Sequence, residues 1–537
     1  MMPLRRTAKV CQVAAIAVVV FSLAQVLAAQ TAVITYHYDN NRTGWNSGES
    51  VLTPANVASS SFGLLTTVTL DDQVDAQPLL VPGVDITAGS YQGTHNVVYV
   101  ATENDTVYAI DANAGTVLLS QHLGTPVVWP LSCNNNGPNV GINSTPVIDP
   151  ISRTMYLIAY TQESTGPAYR LHALDLGSLT DKIAPQVVAA SHTLVDGTTF
   201  AFNATYQRQR PGLLETNGNI YAGFGSFCDY APNLSRGWLM GWDAATLAPL
   251  SSDLMFDMQA TSPNTFFMSS IWMSGYGPAT DDDGNIIFVT GNSDPSGTTY
   301  NGQSNIEESV VKVSSDLSAV LDLFTPSNLA ALDAHDQDFG SGGALVLPDQ
   351  PGPVPRLVVA AGKNGSMYLM NGDHLGGYSP TKNNVLGTYG IGGCWCGQSY
   401  FVDPSDGLAR VVTSGGKMVE AWKVVTSPKT SLTKVAQSAT LHSGQSPGFF
   451  TTISSNGEAN PIVWALSHPW SQKLNSISLY AFNPETGSTM TTLFQANAGT
   501  WPYYNGSSNL VPVVANGFVY VASYKQLSIF GMKQAPK

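Results

Sequence analysis

The chain has 537 residues, of which 11% are charged, with 50 Gly, 32 Pro and a formal net charge of −14. Sparse charge with plentiful Gly and Pro suits an all-β protein of many short strands and turns, and this length fits one long repeat architecture as well as three average domains. The acidic balance argues against nucleic acid or anionic lipid as partner, because both need clustered Lys and Arg.

At the start of the chain, Arg5, Arg6 and Lys9 precede the apolar stretch "VAAIAVVVFSLAQVLAA", and small residues end it at Ala28 or Ala29. That pattern predicts a secretory signal over residues 1–29 and a secreted or periplasmic protein. A retained membrane anchor is the competing reading, since the uncharged run from Val10 is near spanning length. No later stretch is long and apolar enough to span. Removing the three basic residues of the signal leaves 20 Lys and Arg against 37 Asp and Glu, a net −17. Cys11 leaves with the signal. Cys133, Cys228, Cys394 and Cys396 remain, an even set that suits disulfides in an oxidising compartment. Metal ligation is the other reading, but the spacings are not those of a zinc site.

Residues 30–61 precede any repeat and contain "YHYDNNRTGWN" from Tyr36, rich in aromatic and amide groups. This segment is expected to fold over the body of the protein as a cap, the alternative being a contribution to a sugar-like site. Next comes one unattached strand, "FGLLTTVTL", from Phe62 to Leu70.

From there the chain repeats. Apolar strands "VVYVATE" (from Val97), "TMYLIAY" (Thr154), "NIYAGFGS" (Asn219), "NIIFVTGN" (Asn285), "LVVAAGK" (Leu357), "RVVTSGG" (Arg410), "IVWALSH" (Ile462) and "FVYVASY" (Phe518) are each followed by a partner such as "TVYAIDA" or "SLYAFNP". They are β-branched or aromatic with partial alternation, as packed strands should be. Turns such as "DANAGT" and "NPETGS" place a glycine where positive φ is required.

A further strand opens each copy, entered through small residues or Pro: "AQPLLV", "STPVID", "RPGLLE", "YGPATD", "GSGGALVL", "GQSYFV", "GQSPGFF" and "NLVPVV". Radial sheets explain this, because innermost strands converge near an axis where bulky side chains collide. The last copy has only three strands, and Phe62–Leu70 would supply its fourth. The fold predicted is therefore an eight-bladed β-propeller of four-stranded antiparallel blades over residues 62–537, closed by an N-terminal strand that completes the last blade. Two stacked β-sandwiches are the alternative.

"DTVYAIDANAGT" resembles the repeat of propellers related to pyrroloquinoline quinone (PQQ) enzymes and to the outer-membrane assembly lipoprotein. More closely, the span from about Tyr36 to Met532 resembles a family of secreted bacterial PQQ-like propeller proteins. The landmarks are "YHYDNNRTGWN", "GTHNVVYVATENDTVYAIDA", "GINSTPVIDP", "QRQRPGLLETNGNIYAGFGSFCD", "DQDFGSGGALVLPDQPGP" and "LVVAAGKNGSMYLMNGDHLGG". The resemblance implies the propeller fold; function does not follow from fold. Against the quinoprotein dehydrogenases there are departures. Their repeats end in a Trp that docks blade to blade, whereas the first repeat here ends "TVLLSQ". Their paired cysteines over the quinone are adjacent, whereas Trp395 separates the pair here. No Cys-x-x-Cys-His is present, so a covalent c-type haem is excluded.

Side chains at the entrances of the inner strands face the channel mouth, where propellers bind ligands. They are Asp75, Gln77, Asn143, Arg208, Arg210, Trp272, Asp336, Asp338, Cys394, Trp395, Cys396, Gln398, His442 and Tyr504. A quinone would need an aromatic floor, for which Trp272 or Trp395 is available, and cationic partners for its carboxylates, for which Arg208 or Arg210 is available. Asp338 is the candidate general base or calcium ligand, with Asn143 as a neutral calcium ligand. The bland readings stand beside these. Asp336 and Asp338 would cap a turn, the arginines would pair blades, the tryptophans would pack, and His442 would be structural. "GGCWCG", if joined as a disulfide, is a redox element, a rigid rim or a structural staple, and otherwise two free thiols packed under Trp395, while Cys133 and Cys228 would staple neighbouring blades. "TDDDGN" at Thr280 to Asn285 reads as a hairpin turn before a calcium loop.

Two functions remain open. A non-catalytic role is favoured, in which the channel mouth holds a small molecule, glycan or protein. The alternative is a PQQ-dependent oxidoreductase of alcohols or sugars, with Asp338 taking the proton.

Overall fold

The computed structural model describes residues 30–133, 135, 137–441, 448–469, 475–485, 487–502 and 509–533. The predicted signal, His442 and Tyr504 lie outside the described residues. Each apolar repeat forms an antiparallel sheet by pairing with its sequence neighbours. The first blade runs Leu79–Ile86, Gly93–Ala101, Thr106–Asp111 and Val117–His122 from the axis outward.

Seven more sheets follow, with innermost strands at Val147–Asp149, Leu214–Thr216, Ala279–Thr280, Ala344–Leu347, Ser399–Asp403, Thr451–Asn456 and Val513–Ala515. The fold is thus the eight-bladed β-propeller predicted from the repeats. In blade 3 the inner edge is split, Gln207–Gln209 and Leu214–Thr216 both pairing with Asn219–Ser226 around Pro211. Proline offers no N–H there, which is tolerable only on an edge.

Closure is as the strand count requires. Phe62–Thr69 pairs antiparallel with Gln526–Met532, from Phe62 opposite Met532 to Thr69 opposite Gln526. Phe62 meets Phe494 edge-on with ring centroids 4.8 Å apart and also packs by Trp464, so the seam is filled by apolar surface of the neighbouring blade.

Residues 31–49 line the inner edges of the blades. Val33 exchanges both main-chain bonds with Leu80 of blade 1, and Ile34 O accepts from Ile148 N of blade 2. Asn40 O, Asn41 O, Thr43 O and Gly44 O accept in turn from Thr280, Val346, Tyr400 and Ile453 of blades 4 to 7. The Asn40 side chain donates to Glu215 O of blade 3, and Tyr38 Oη and Asn46 Nδ2 both donate to Val514 O of blade 8. Inner strands leave their axial main-chain groups without a ladder partner, and this strap satisfies them blade by blade.

At the centre sits Arg42, fully buried. Its Nε donates to Pro278 O (2.8 Å), Nη1 to Thr35 Oγ1 (2.7 Å) and Tyr36 O (2.8 Å), and Nη2 to Leu213 O (3.2 Å). Tyr276 lies beside it, its hydroxyl donating to Arg42 O at 2.9 Å. A Cβ at Gly343 or at Gly397 would collide with the Tyr276 ring. That is why "GSGG" and "CGQ" open blades 5 and 6 with glycines.

A short helix, Pro54–Val57, links strap to closing strand. Thr53 and Asn56 cap it reciprocally, Thr53 Oγ1 accepting from Asn56 N and Asn56 Oδ1 from Thr53 N. Thr53→Ala is expected to cost about 1 kcal/mol in chemical denaturation, the usual worth of such a cap.

Two disulfides form, Cys133–Cys228 and Cys394–Cys396. The first ties the loop before blade 2 to blade 3, and both fit an oxidising compartment. No helix among the described residues is long and apolar enough to cross a membrane.

Candidate functional site

The entrances of blades 3 to 6 converge on a cavity of about 210 Å³ at one end of the channel. Its walls come from Asn135, Arg208, Arg210, Ser226, Cys228, Asp229, Trp272, Asp336, Asp338, Lys363 and Trp395. Five of the candidates named from sequence for a role there, Arg208, Arg210, Trp272, Asp338 and Trp395, therefore share one wall system, and Asp336 joins them.

Arg208 is held from behind by a relay through three blades. Its Nε donates to Asn143 Oδ1 at 3.0 Å, and Asn143 Nδ2 donates to Glu103 Oε1 at 2.5 Å. Glu103 Oε2 accepts from Gly141 N at 2.8 Å. Burial first, and then the nearby Asp75, push the Glu103 carboxyl well above its usual range. Arg208 Nη1 donates to Asn135 Oδ1 at 2.8 Å, which leaves buried Nη2 without a partner.

Arg210 lies over the Trp272 ring, its guanidinium carbon 5.5 Å from the centroid, and its buried Nη2 is likewise unpartnered. Burial, followed by repulsion from Arg208, pulls the Arg210 pKa down to about 9. Two guanidiniums with unpartnered donors thus line one cavity, and a planar fork of this kind matches carboxylate geometry.

Lys363 follows the second strand of blade 5 and organises the opposite wall. Its Nζ lies 3.0 Å from Asp338 Oδ2 and 3.2 Å from Asp336 Oδ1, and within 5.5 Å of the Trp272 and Trp395 ring centroids. Burial works against its charge, yet the two carboxylates outweigh burial and hold the ammonium above its usual range. Asp338 is buried and keeps Oδ1 without a hydrogen-bond partner. Burial raises its pKa, with Lys363 opposing. Asp229, on the loop after Asn219–Ser226, is pushed up to about 6 by burial and then by the Asp338 charge, while Ser226 Oγ donates to its Oδ1 and resists the rise.

The remaining candidates sit elsewhere. Asn143 stands one residue behind the wall, on Arg208. Cys394, Cys396 and Gln398 are fully buried beneath Trp395, with Gln398 Nε2 at 3.5 and 3.8 Å from the two sulfurs. The disulfide therefore fixes the loop that carries Trp395 and does not itself face the cavity. Gln77 secures the strap, accepting from His37 N at 3.0 Å and donating to Thr35 O at 3.2 Å.

A calcium site on Asn143 and Asp338 does not fit. Asn143 Oδ1 is taken by Arg208 and Asp338 Oδ2 by Lys363, and among the described residues no three His, Cys, Asp or Glu side chains are grouped to hold a metal. The quinone fits only in part. The arginines suit its carboxylates, but Trp272 and Trp395 meet at 85° with centroids 6.2 Å apart, so they offer one flat face and one edge. The volume also falls below the about 300–1,000 Å³ usual for ligand pockets.

Lys363 and Asp229 carry no sequence signature. Lys363 stands in "AAGKNGS" directly after a buried strand, where a charge is unusual, and that was the one signal available.

No family model and no curated protein matches the sequence. Solved structures do match. The quinohemoprotein alcohol dehydrogenase of Comamonas testosteroni is 14% identical, with 95% of this chain and 82% of that one covered at a TM-score of 0.59. A quinohemoprotein alcohol dehydrogenase of Pseudomonas putida HK5 is 14% identical over 94% and 82%, at 0.60. A europium-containing methanol dehydrogenase is 10% identical over 93% and 98%, at 0.58. At such identity these likenesses show one thing, that the chain shares the propeller fold of the quinoprotein alcohol and methanol dehydrogenases.

Proposed function

We propose that the cavity binds a small hydroxylated carboxylate, outside the cytoplasm, without a metal. The observation that carries this reading is the pair of buried, unpartnered Nη2 atoms on Arg208 and Arg210, two residues that line one cavity. A buried unsatisfied donor costs about 1–3 kcal/mol, more when charged, and a carboxylate would relieve two at once. Asp229, Asp336, Asp338 and Asn135 supply acceptors for hydroxyl groups, and the half-buried Trp272 and Trp395 rings supply apolar surface for an aliphatic ring. The modest volume favours one sugar-acid unit over a fused tricyclic quinone.

The test is calorimetry and thermal shift with galacturonate, galactose, and PQQ with and without calcium. Galacturonate is expected to bind and to raise the melting temperature, galactose to do neither. Arg210→Gln is expected to weaken galacturonate about 10- to 100-fold, the worth of a charge-assisted bond. A PQQ shift exceeding that of galacturonate, with dye reduction on adding alcohols, would replace this reading by the oxidoreductase one.

A further inference from the structure

The cavity holds two carboxylates that recognition of a carboxylate does not require. Asp338 belongs to blade 5 and Asp229 to blade 3, with the Trp272 entrance of blade 4 between them. Asp229 lies near enough to feel the Asp338 charge, yet their settings differ. Asp338 is tied through Oδ2 to Lys363, an ammonium held charged, and its Oδ1 is unpartnered. Asp229 has only the Ser226 hydroxyl on Oδ1, and with a pKa near 6 it retains a proton in a fraction of molecules at neutrality. Two acids set apart in this way take opposite roles in proton transfer.

We propose that the cavity catalyses β-elimination from a uronate glycoside, with Asp338 as base and Asp229 as acid. The inference rests on the carboxylate-binding reading above. The substrate carboxylate lies on Arg208 and Arg210. Asp338 Oδ1 removes the proton from the carbon next to that carboxylate, the C–H electron pair moves onto the carboxylate as an enediolate, and the two unpartnered guanidinium donors stabilise the charge as it develops. The pair then returns to form a C=C bond as the C–O bond at the next carbon breaks with its own electrons. The Asp229 proton passes to the departing oxygen. One C–H and one C–O bond are lost and one C=C and one O–H bond are made, with no net oxidation. Solvent exchange returns the Asp338 proton and reprotonates Asp229.

A leaving group directed out of the cavity would meet exposed rings on the neighbouring loops. Tyr230, directly after Asp229, is 61% exposed, and Trp129 on the loop tied by Cys133–Cys228 is 41% exposed. Exposed rings on this disulfide-linked rim suit the faces of further sugar units.

Digalacturonate is the probe, incubated with the full chain in H₂O and in D₂O. The readouts are binding by calorimetry, conjugated-alkene absorbance and exchange of the C5 proton by NMR. Wild-type protein is expected to bind, to exchange and to yield the unsaturated product. Asp338→Asn is expected to bind but neither exchange nor yield product. Asp229→Asn is expected to keep exchanging while product formation falls about 100-fold or more, the usual worth of a general acid. Folding of both variants is checked by thermal unfolding, and the wild-type measurement decides the matter if either fails. Binding by wild type without exchange or product overturns elimination and leaves the binding reading standing, whereas absence of binding overturns the binding reading itself. Exchange that persists in a folded Asp338→Asn overturns the base assignment.

Discussion

Arg42→Met is expected to destabilise the protein by about 4 kcal/mol or more, read as a lower denaturant midpoint with unchanged slope. Methionine fills most of the arginine's volume and removes a buried charge, whose burial already pulls the Arg42 pKa down to about 10. That relief is outweighed by what is abandoned. Pro278 O, Leu213 O, Tyr36 O and the Thr35 hydroxyl would lose their donor in a region with no exposure to water. Each orphaned acceptor costs about 1–3 kcal/mol. Arg42→Lys is expected to recover part of the loss at most, because an ammonium cannot reach backbone groups of both blades 3 and 4 with a planar fork. An unchanged midpoint in Arg42→Met would show that the centre of the ring is held by apolar packing alone.

The second large effect is alkaline lability. Asp105 is fully buried with neither carboxylate oxygen partnered, and burial pushes its pKa up to about 8. Glu307, also fully buried, is pushed up to about 9 by burial and then by Asp333. Because both folded-state values lie above the unfolded ones, the unfolded chain gives up these protons first. The stability contributed by these two groups is full below about pH 4, falls as pH rises through the interval, and levels off only above pH 8 to 9. At about 1.4 kcal/mol per unit, Asp105 alone sets an upper bound of about 6 kcal/mol on this loss. Asp105→Asn and Glu307→Gln, which cannot ionise, are each expected to flatten the profile between pH 5 and 9 and to raise the melting temperature at pH 9. Variant profiles that run parallel to the wild type from pH 5 to 9 would refute the assignment of both groups as neutral in the folded state.

The blades were legible because each repeat writes the same local chemistry: β-branched strands, a glycine turn, and small residues where sheets converge. Closure was legible from arithmetic, since three strands at the end and one at the start make a blade. The mouth was partly legible for the same reason, as entrance positions such as Arg208, Arg210, Trp272 and Asp338 share a radial level. Roles within it were not. Asn143 was read as a calcium ligand, yet its oxygen is claimed by an arginine 65 residues later. Lys363 becomes functional only through Asp336 and Asp338, whose partnership depends on how the loops of blade 5 fold back. "YHYDNNRTGWN" drew attention by composition, but its path along eight inner edges depends on backbone groups that no side-chain pattern encodes.

The seam between Phe62–Thr69 and Gln526–Met532 sets an order on biogenesis. The paired ends, Phe62 and Met532, are 470 positions apart, so the ring cannot latch until nearly the whole chain has been made. Until that moment both the strap and the first strand lack most of their partners, and two sheet edges stay open to intermolecular pairing. Contacts this remote in sequence also slow the search for the native ring. Joining the two ends through a linker and opening the chain between two blades would turn the last step of folding into an early one.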